Sequence, residues 1–356
     1  MALRGLGHAS AEISTTPGIQ DTRDAASCFC LRSNPRLPYR SSSMGWDVEG
    51  STLRDALVSA GVARIAWKWW LSRQASPSKT SHITTADEVP GWLTEDSPDI
   101  AGGYRKPCSP AACLCSCGCC HNETFNIWSH YVPAIWFLRS AARNQKLPRY
   151  VALAAGSLFS ISAAAHCLSS VGERTNEIMY RLDRAAIASY FCVFSTVLGM
   201  QHFTARKEPR LQRLFVAASV ALGMLSSGTL FLGKSFPPWL KVLILSVQSL
   251  FGTIVPIREL LTTPSSYNRM LVLTYLPLSL FCGGIGGLCF ASRFPEAWGL
   301  APRGTFDFAG HGHNLMHVFV ALAAFFGYRG QTLWQNSLDC MQARAARVAV
   351  AAAKLG

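Results

Sequence analysis

The fold is decided by the stretch RYVALAAGSLFSISAAAHCLSS, residues 149–170, which carries no Asp, Glu, Lys or Arg after Arg149. A bilayer core about 30 Å thick is crossed by about twenty helical residues, so this run has the length of a membrane span. Backbone groups find no hydrogen-bond partner in lipid, and runs of this kind therefore form helices. Comparable runs cover residues 125–142, 184–203, 213–233, 238–257, 269–291 and 313–328. The sequence predicts an all-α membrane protein, a seven-transmembrane helix bundle.

The composition agrees with a membrane protein. Of the 356 residues, 49% are hydrophobic and only 15% are charged, which excludes an ordinary soluble domain of this length. The net charge of +13 would indicate nucleic-acid binding on a soluble fold. Here the basic residues lie in the N-terminal part and in short loops between apolar runs, where they suit lipid headgroups. We therefore expect membrane lipids as partners and no nucleic acid.

The chain divides into four predicted regions. Residues 1–88 are rich in small polar residues and are expected to be a mostly disordered N-terminal tail, with an amphipathic helix near residues 53–71 that lies on a membrane or docks on the protein. Residues 89–121 form a juxtamembrane Cys-rich segment, residues 122–330 the seven-helix domain, and residues 331–356 a short C-terminal amphipathic helix. No signal peptide is evident, so the first span is expected to direct insertion.

Three histidines lie at the ends of predicted spans. His166 is near the end of the second span, while His313 and His317 open the seventh, and alternating helices bring these ends to the same side of the membrane. His313 and His317 are four residues apart and share a helix face. Three neutral imidazoles with an open fourth position are the ligand set of a catalytic zinc site. Asp183, which opens the third span at the same side, is a candidate catalytic residue.

Other interpretations of these residues stay open at this point. A single membrane histidine is more often a hydrogen-bonded core residue than a ligand, and a pair of histidines four apart on a helix also serves haem, copper and di-iron sites. Asp183 could cap its helix, and Ser162, one turn before His166, could bond to its own helix backbone. His130, at the start of the first span, is the reserve candidate for a residue that supports the ligands.

Five stretches together resemble the progestin and adipoQ receptor family, which includes the adiponectin receptors and the hemolysin III proteins. The resemblance covers residues 89–328, with all motifs in order. The stretches are residues 99–106 with GYRK, residues 121–130 with HNETFNIWSH, residues 162–166 with SAAAH, residues 182–187 with LDRAAI, and residues 293–317 with RFPE, FD and HNLMH.

The resemblance implies a seven-helix fold with Zn²⁺ near the cytosolic face, held by the residues that match His166, His313 and His317. It implies that Asp183 contacts the zinc-bound water, that Ser162 lies beside it, and that the N-terminus is cytosolic. The distribution of Lys and Arg between the two sides weakly favours the opposite orientation, with the N-terminus outside the cytosol. We adopt the orientation that the family resemblance implies. The sequence departs from the family at a few positions around the ligands, which puts the shape of the pocket in question: Ala165, Arg184, Gly312 and Met316.

The Cys-rich segment is a further departure from the family. Its six cysteines precede the first span on the expected cytosolic side, where thiols stay reduced. Lipidation of Cys117, Cys119 and Cys120 is one expected fate. A second metal site is the other reading, although the segment lacks the regular spacing of paired CxxC motifs. The full set is Cys108, Cys113, Cys115, Cys117, Cys119 and Cys120.

Two functions fit these residues. The first is a zinc-dependent hydrolase that cleaves a ceramide-type lipid amide, a sphingolipid, with Asp183 as the base. The second is a signalling receptor for a lipid or steroid-like ligand, in which the zinc is structural and couples ligand binding to helix packing. The sequence predicts a multi-pass membrane protein and leaves the plasma membrane, the endomembranes and the oligomeric state open.

Overall fold

The computed structural model describes residues 83–95, 97–233, 236–262 and 266–353, with no side-chain detail for residues 266–272. Most of the predicted tail, including the amphipathic helix near residues 53–71, lies outside the described residues. The described part begins with a small cap before the bundle. Strand β1 (Ile83–Thr84) pairs antiparallel with β2 (Tyr104–Arg105). The sequence predicts a mostly disordered tail that extends to residue 88, but residues 83–88 form a strand and a helical turn.

The rest of the described chain is helical. A short helix, α1 (Pro110–Ser116), begins where the Ser109 side chain accepts a hydrogen bond from the amide of Ala112. The longer helices follow with brief connections, and proline stands in the first turn of three of them, where its missing amide hydrogen costs nothing. They are α2 (Thr124–Arg143), α3 (Pro148–Leu168), α4 (Glu173–Ala205), α5 (Pro209–Leu232), α6 (Pro238–Gly252), α7 (Ile254–Thr262), α8 (Ser266–Ser292) and α9 (Gly312–Ala353).

The helices pack into a ring in which α2 contacts α3 and α9, and α8 contacts α9. Helix α4 packs against α3, α5, α6, α7 and α9. Among the buried residues of the core are Phe137, Phe159, Tyr190 and Tyr328, and a second cluster contains Phe203, Phe215 and Trp334. The expected all-α membrane helical bundle is confirmed.

Five stretches of the described chain are long and apolar enough to cross a membrane. They are Pro148–Leu168, Glu173–Ala205, Pro209–Leu232, Pro238–Thr262 and Leu273–Ser292. Helices α6 and α7 together form one of these stretches, so the five correspond to predicted spans two to six. The assignment of α2 and of the first part of α9 as spans one and seven stays a prediction.

Two helices extend beyond the runs predicted for them. Helix α4 begins at Glu173, so Asp183 lies in its third turn and does not cap it. That result removes the capping interpretation of Asp183. Helix α9 runs without a break to Ala353, so the described part of the C-terminal helix expected over residues 331–356 is its continuation.

Glycine allows α8 to approach α9 closely. A Cβ atom built on Gly286 would lie 3.1 Å from Cβ of Phe319 and 3.3 Å from the carbonyl oxygen of Met316. The same addition at Gly284 meets nothing within 4 Å. Close backbone approach at small residues is typical of membrane helix pairs, and here it places the turn between His313 and His317 against α8.

Candidate metal centre

The structure brings the three predicted ligands together. His166, His313 and His317 each offer a ring nitrogen, and these nitrogens all lie within 4.8 Å of one another. His166 and His317 are buried, with 0% and 1% of their surface exposed, and His313 is half-buried. The ring centroids are 4.8 to 5.0 Å apart. In the described part of the chain, this is the one group of His, Cys, Asp or Glu side chains with such a geometry.

A carboxylate fixes the orientation of the His166 ring. Nδ1 of His166 lies 2.7 Å from Oε2 of Glu123 and 3.2 Å from the hydroxyl of Tyr180. An ionised carboxylate only accepts, so Nδ1 carries the hydrogen and the lone pair lies on Nε2. Nε2 is buried and has no hydrogen-bond partner. A histidine held by a carboxylate through one nitrogen, with the other left for a ligand, is the usual arrangement at a protein metal site.

The donor set fits a zinc ion. Three imidazole nitrogens from two helices would fill three tetrahedral positions and leave the fourth for water. Nε2 of His166, buried without a hydrogen-bond partner, fits a metal-binding nitrogen, because most buried polar atoms are hydrogen-bonded. Imidazole also suits copper, iron and nickel.

A polar network joins α2 to the ligand helices. Glu123 also accepts a hydrogen bond from the side-chain amide of Asn126 at 2.8 Å, and Asn126 accepts one from Asn314 at 2.6 Å. Asn314 lies between His313 and His317 on α9. In addition, Oγ of Ser129 is 3.0 Å from Nδ1 of His317. The HNETFNIWS stretch thus contacts both helices that carry ligands, a role that the sequence analysis did not assign to Glu123.

The turn before α2 holds Glu123 in place. Nδ1 of His121 accepts a hydrogen bond from the amide of Glu123 at 3.2 Å, and Thr124 accepts one from the amide of His121 at 2.9 Å. Burial lowers the pKa of His121 to about 3, and the nearby charge of Arg105 acts in the same direction. His121 is therefore neutral, which it must be to accept this hydrogen bond.

Arg105 fixes the other side of the site. Only 4% of its surface is exposed, and its guanidinium donates hydrogen bonds to the carbonyl oxygens of His166 at 2.7 Å and Cys167 at 2.9 Å. It also donates to the hydroxyls of Ser116 and Ser169. A cation at the carbonyl end of α3 satisfies orphan acceptors and matches the helix dipole. Arg105 lies in the GYRK motif, and only the fold shows that it holds the turn that carries His166.

The reserve candidate, His130, lies beside the ligands. Its ring stacks on that of His317 with centroids 3.6 Å apart and planes 3° apart. Both of its ring nitrogens are buried without a hydrogen-bond partner. His130 does not belong to the group of three converging nitrogens.

Asp183 and Ser162 lie on the same helices as residues of the site. Ser162 is buried one turn before His166 on α3. Asp183 is half-buried on α4, three residues after Tyr180, so both project from one face of that helix. The Tyr180 hydroxyl contacts His166. This places Asp183 one turn from a residue that touches the site, although its oxygens are not part of the three-nitrogen group.

A cavity leads to the exposed side of His313. Its volume is about 410 Å³, and it lies between the first turn of α6, the end of α8 and the loop before β2. The lining includes Lys241, Phe290 and Arg293. His313, the predicted ligand that is only half-buried, is therefore the one within reach of a molecule that enters from this side.

The opposite end of α4 carries a separate polar cluster. The guanidinium of Arg258 lies 2.9 Å from Nε2 of His202 and donates two hydrogen bonds to Glu208. These bonds lower the pKa of Glu208 below its usual value. His202 thus lies near the C-terminal end of α4, away from the triad.

The cysteines of the Cys-rich segment divide by exposure. Cys113 is buried and Cys117 is half-buried against α3, while Cys115 and Cys119 are exposed. A hydrogen bond from Cys167 lowers the pKa of Cys117, against the effect of burial, and Arg105 acts in the same direction as that bond. Lipidation of Cys117, Cys119 and Cys120 stays a prediction, and Cys119 is the exposed residue of the three.

Comparison with known proteins identifies relatives of this chain. The haemolysin-III related family matches residues 119–328, more than half of the sequence. Membrane progestin receptor delta is 29% identical in Mus musculus and 30% identical in Homo sapiens, over 70% of this chain and 77% of each receptor. Heptahelical transmembrane protein 1 of Arabidopsis thaliana is 25% identical over 75% of this chain and 86% of its own length. Four of the five motif stretches, residues 121–130, 162–166, 182–187 and 293–317, lie within the family match.

Proposed function

This chain belongs to the haemolysin-III related family, which includes the progestin and adipoQ receptors, and we propose that it is a membrane-embedded zinc hydrolase of ceramide-type lipid amides. The observation that carries the proposal is the buried histidine triad with its unpartnered Nε2 on His166. A triad of this type with a fourth open position is typical of catalytic zinc sites.

The residues of this chain would divide the chemistry among them. His166, His313 and His317 would hold Zn²⁺, which when bound supplies a Lewis acid that activates water and polarises a carbonyl. Glu123 keeps the ring of His166 oriented. Asp183 would accept the proton of the attacking water and return it to the leaving amine, and Ser162 would lie beside the reacting carbonyl. The cavity of about 410 Å³ gives a substrate a path to His313.

The lipid environment supports the choice of substrate class. The site lies at one end of a helical bundle whose outer faces are apolar, and many large hydrophobic side chains are exposed there. A molecule that is dissolved in the bilayer therefore meets the bundle directly. An amide with an acyl chain combines that solubility with the bond that a zinc site of this type cleaves.

Replacing the proposed base tests the catalytic role. Asp183→Asn keeps the size of the side chain and removes its basicity. General base catalysis is typically worth 10²- to 10⁴-fold in rate, so we expect turnover of a ceramide by purified protein to fall about 100-fold or more, with zinc content unchanged. Asp339→Asn is the matched control, because Asp339 is ion-paired with Lys146 on the surface. Turnover by Asp183→Asn at the rate of the unmodified protein would refute the role of Asp183.

A receptor is the second candidate function. The relatives of this chain include membrane progestin receptors. The Asn126–Asn314 hydrogen bond couples α2 to α9, the helix that carries two of the predicted zinc ligands. In this case the zinc would be structural, and a steroid-like ligand would shift the packing of α2, α3 and α9. Binding of progesterone that depends on zinc, together with no turnover of any lipid amide tested, would favour the receptor over the hydrolase.

The orientation of the chain in the membrane completes the proposal. The family resemblance implies that the N-terminus is cytosolic, which places the metal centre near the cytosolic face. The cap formed by β1, β2 and α1 would then face the cytosol, with its cysteines in a reducing compartment.

A further inference from the structure

Four cysteines form two close pairs at the end of α3. Sγ of Cys117 lies 3.2 Å from Sγ of Cys167, and Sγ of Cys108 lies 3.3 Å from Sγ of Cys113. All four are free thiols. Cys117 and Cys167 are separated by 50 residues in the sequence, so only the fold brings them together. This pair joins the Cys-rich segment to the residue that follows His166.

The arrangement suits a disulfide better than a second metal site. A tetrahedral thiolate site needs several sulfurs that converge on one point. Within the described ranges, the histidine triad is the one group whose ligand atoms meet that condition, and the four sulfurs do not. Two sulfurs at 3.2 Å need to approach by only about 1 Å to reach disulfide bonding distance.

The surroundings of the two sulfurs differ. Cys117 is half-buried at the end of α1, whereas Cys167 is buried, with 5% of its surface exposed. Both thiols point at the carbonyl oxygen of Cys113, at 3.7 Å from Cys117 and 3.6 Å from Cys167. An oxidant from solution therefore meets Cys117 first, with Cys167 in place to react with the product.

We propose that Cys117 and Cys167 form a redox-responsive disulfide that locks α1 to the end of α3. The oxidant is a hydroperoxide such as hydrogen peroxide. The Cys117 sulfur attacks one peroxide oxygen, and the O–O bond breaks. One water is released, and a sulfenic acid remains on Cys117. The Cys167 sulfur then attacks the Cys117 sulfur, the S–O bond breaks, and the hydroxide leaves as a second water with the Cys167 proton. Two thiols are oxidised and one peroxide is reduced to two waters.

The disulfide would act on the metal centre through the backbone. Cys167 follows His166, and Arg105 bonds to the carbonyl oxygens of both residues and to Ser116 of α1. A covalent link between α1 and this turn would restrict the local opening through which His166 would release the metal ion. Loss of zinc to a chelator should therefore be several-fold slower in the oxidised protein. This consequence, unlike the disulfide itself, rests on the proposed zinc site.

Peptide mapping of the full-length protein tests the pairing. Purified protein in detergent is treated with hydrogen peroxide, free thiols are blocked, and the digest is analysed by mass spectrometry with and without dithiothreitol. We expect a dithiothreitol-sensitive link between the peptides of Cys117 and Cys167. The link should be absent in Cys117→Ser and in Cys167→Ser, and present in Cys115→Ser, whose sulfur is exposed on the same helix.

Other results would overturn the inference. If Cys117 stays a thiol, pairs instead with another cysteine of its own segment, or is found acylated and unreactive, the proposed pair is wrong. If the link forms and zinc loss is equally fast in both forms, the pair does not regulate the site. If the reduced protein contains no zinc, the proposed function fails, and the mapping still decides whether the disulfide forms.

Discussion

Glu123 shows how a single side chain prepares the site. Its carboxylate lies 2.7 Å from Nδ1 of His166 and 2.8 Å from the amide of Asn126. The first contact fixes which nitrogen of His166 is protonated, and the second fixes the carboxylate itself. The ring is thus oriented before any metal arrives, and this lowers the conformational cost of binding.

Replacing Glu123 with glutamine should weaken metal binding without removing a ligand. The amide keeps the size of the side chain and loses the charge that holds the Nδ1 hydrogen. Loss of such a supporting partner typically costs 10- to 100-fold in metal affinity, so we expect the zinc affinity of Glu123→Gln to fall within about that range in competition with a chelating dye. Glu173→Gln, an exposed change on α4, is the control. Unchanged affinity in Glu123→Gln would show that the carboxylate does not support the ligand.

At the residue scale, the sequence predicts the ligands better than the groups that hold them. His313 and His317 are four apart on one helix, and His166 ends a span on the same side, so helix periodicity and alternation suffice to group them. Glu123 and Arg105 act across elements distant in sequence. No local pattern pairs either residue with His166, although both lie in motifs that the family resemblance singles out. The Cys117–Cys167 contact is hidden for the same reason.

Among the elements, the contact of α8 with α9 positions two of the three ligands. Gly286 faces the turn of α9 that contains Met316, directly before His317. A Cβ atom on Gly286 would lie 3.1 to 3.3 Å from atoms of α9, so a large side chain there would have to push the two helices apart. Within the glycine-rich run of α8, Gly286 makes the close approach to α9, whereas Gly284 meets nothing within 4 Å.

A large side chain at Gly286 should displace His313 and His317, although Gly286 itself is not part of the metal centre. We expect Gly286→Leu to reduce the zinc content and the thermal stability of the purified protein, because α9 must move away from α8. Gly284→Leu, whose Cβ meets nothing within 4 Å, is the matched control and should retain both properties. Equal zinc content in the two variants would show that this helix contact does not set the position of His313 and His317.

The ends of the helices were the least predictable feature. Hydropathy marks the part of a helix that lies in lipid, whereas a helix can continue into water through polar residues. Residues 173–183 contain charged and polar side chains and precede the predicted third span, yet they form the first turns of α4. This extension carries Tyr180 to His166 and places Asp183 inside the helix. The long continuation of α9 escaped prediction for the same physical reason.

For the molecule as a whole, the length of the apolar runs predicts an all-α membrane bundle, and the structure has one. The two predicted spans that fall outside the five clear stretches lie in helices rich in polar residues of the site. Helix α2 carries Asn126, Ser129 and His130, and α9 carries His313 and His317. Polar side chains of the site lower the mean hydropathy of the helices that hold them. These helices are therefore harder to recognise as membrane spans from hydropathy alone.

Seven spans would put the two ends of the chain on opposite sides of the membrane. We expect a reporter at the N-terminus to be cytosolic and one at the C-terminus to be on the far side, because an odd number of crossings separates them. A reporter in the loop of residues 144–147 should share the side of the C-terminus. Protease protection in sealed vesicles measures this directly. Both termini on one side would mean that α2 or α9 does not cross.

The central claim is that three imidazoles from α3 and α9 bind one metal ion at the end of the bundle. Elemental analysis of the full-length protein, purified without chelators, tests it most directly alongside His166→Ala, with His202→Ala as control because His202 lies at the remote end of α4. We expect one zinc ion per chain in the unmodified protein and in His202→Ala, and a loss of most of it in His166→Ala. Zinc at full occupancy in His166→Ala, or no metal in the unmodified protein, would contradict the account.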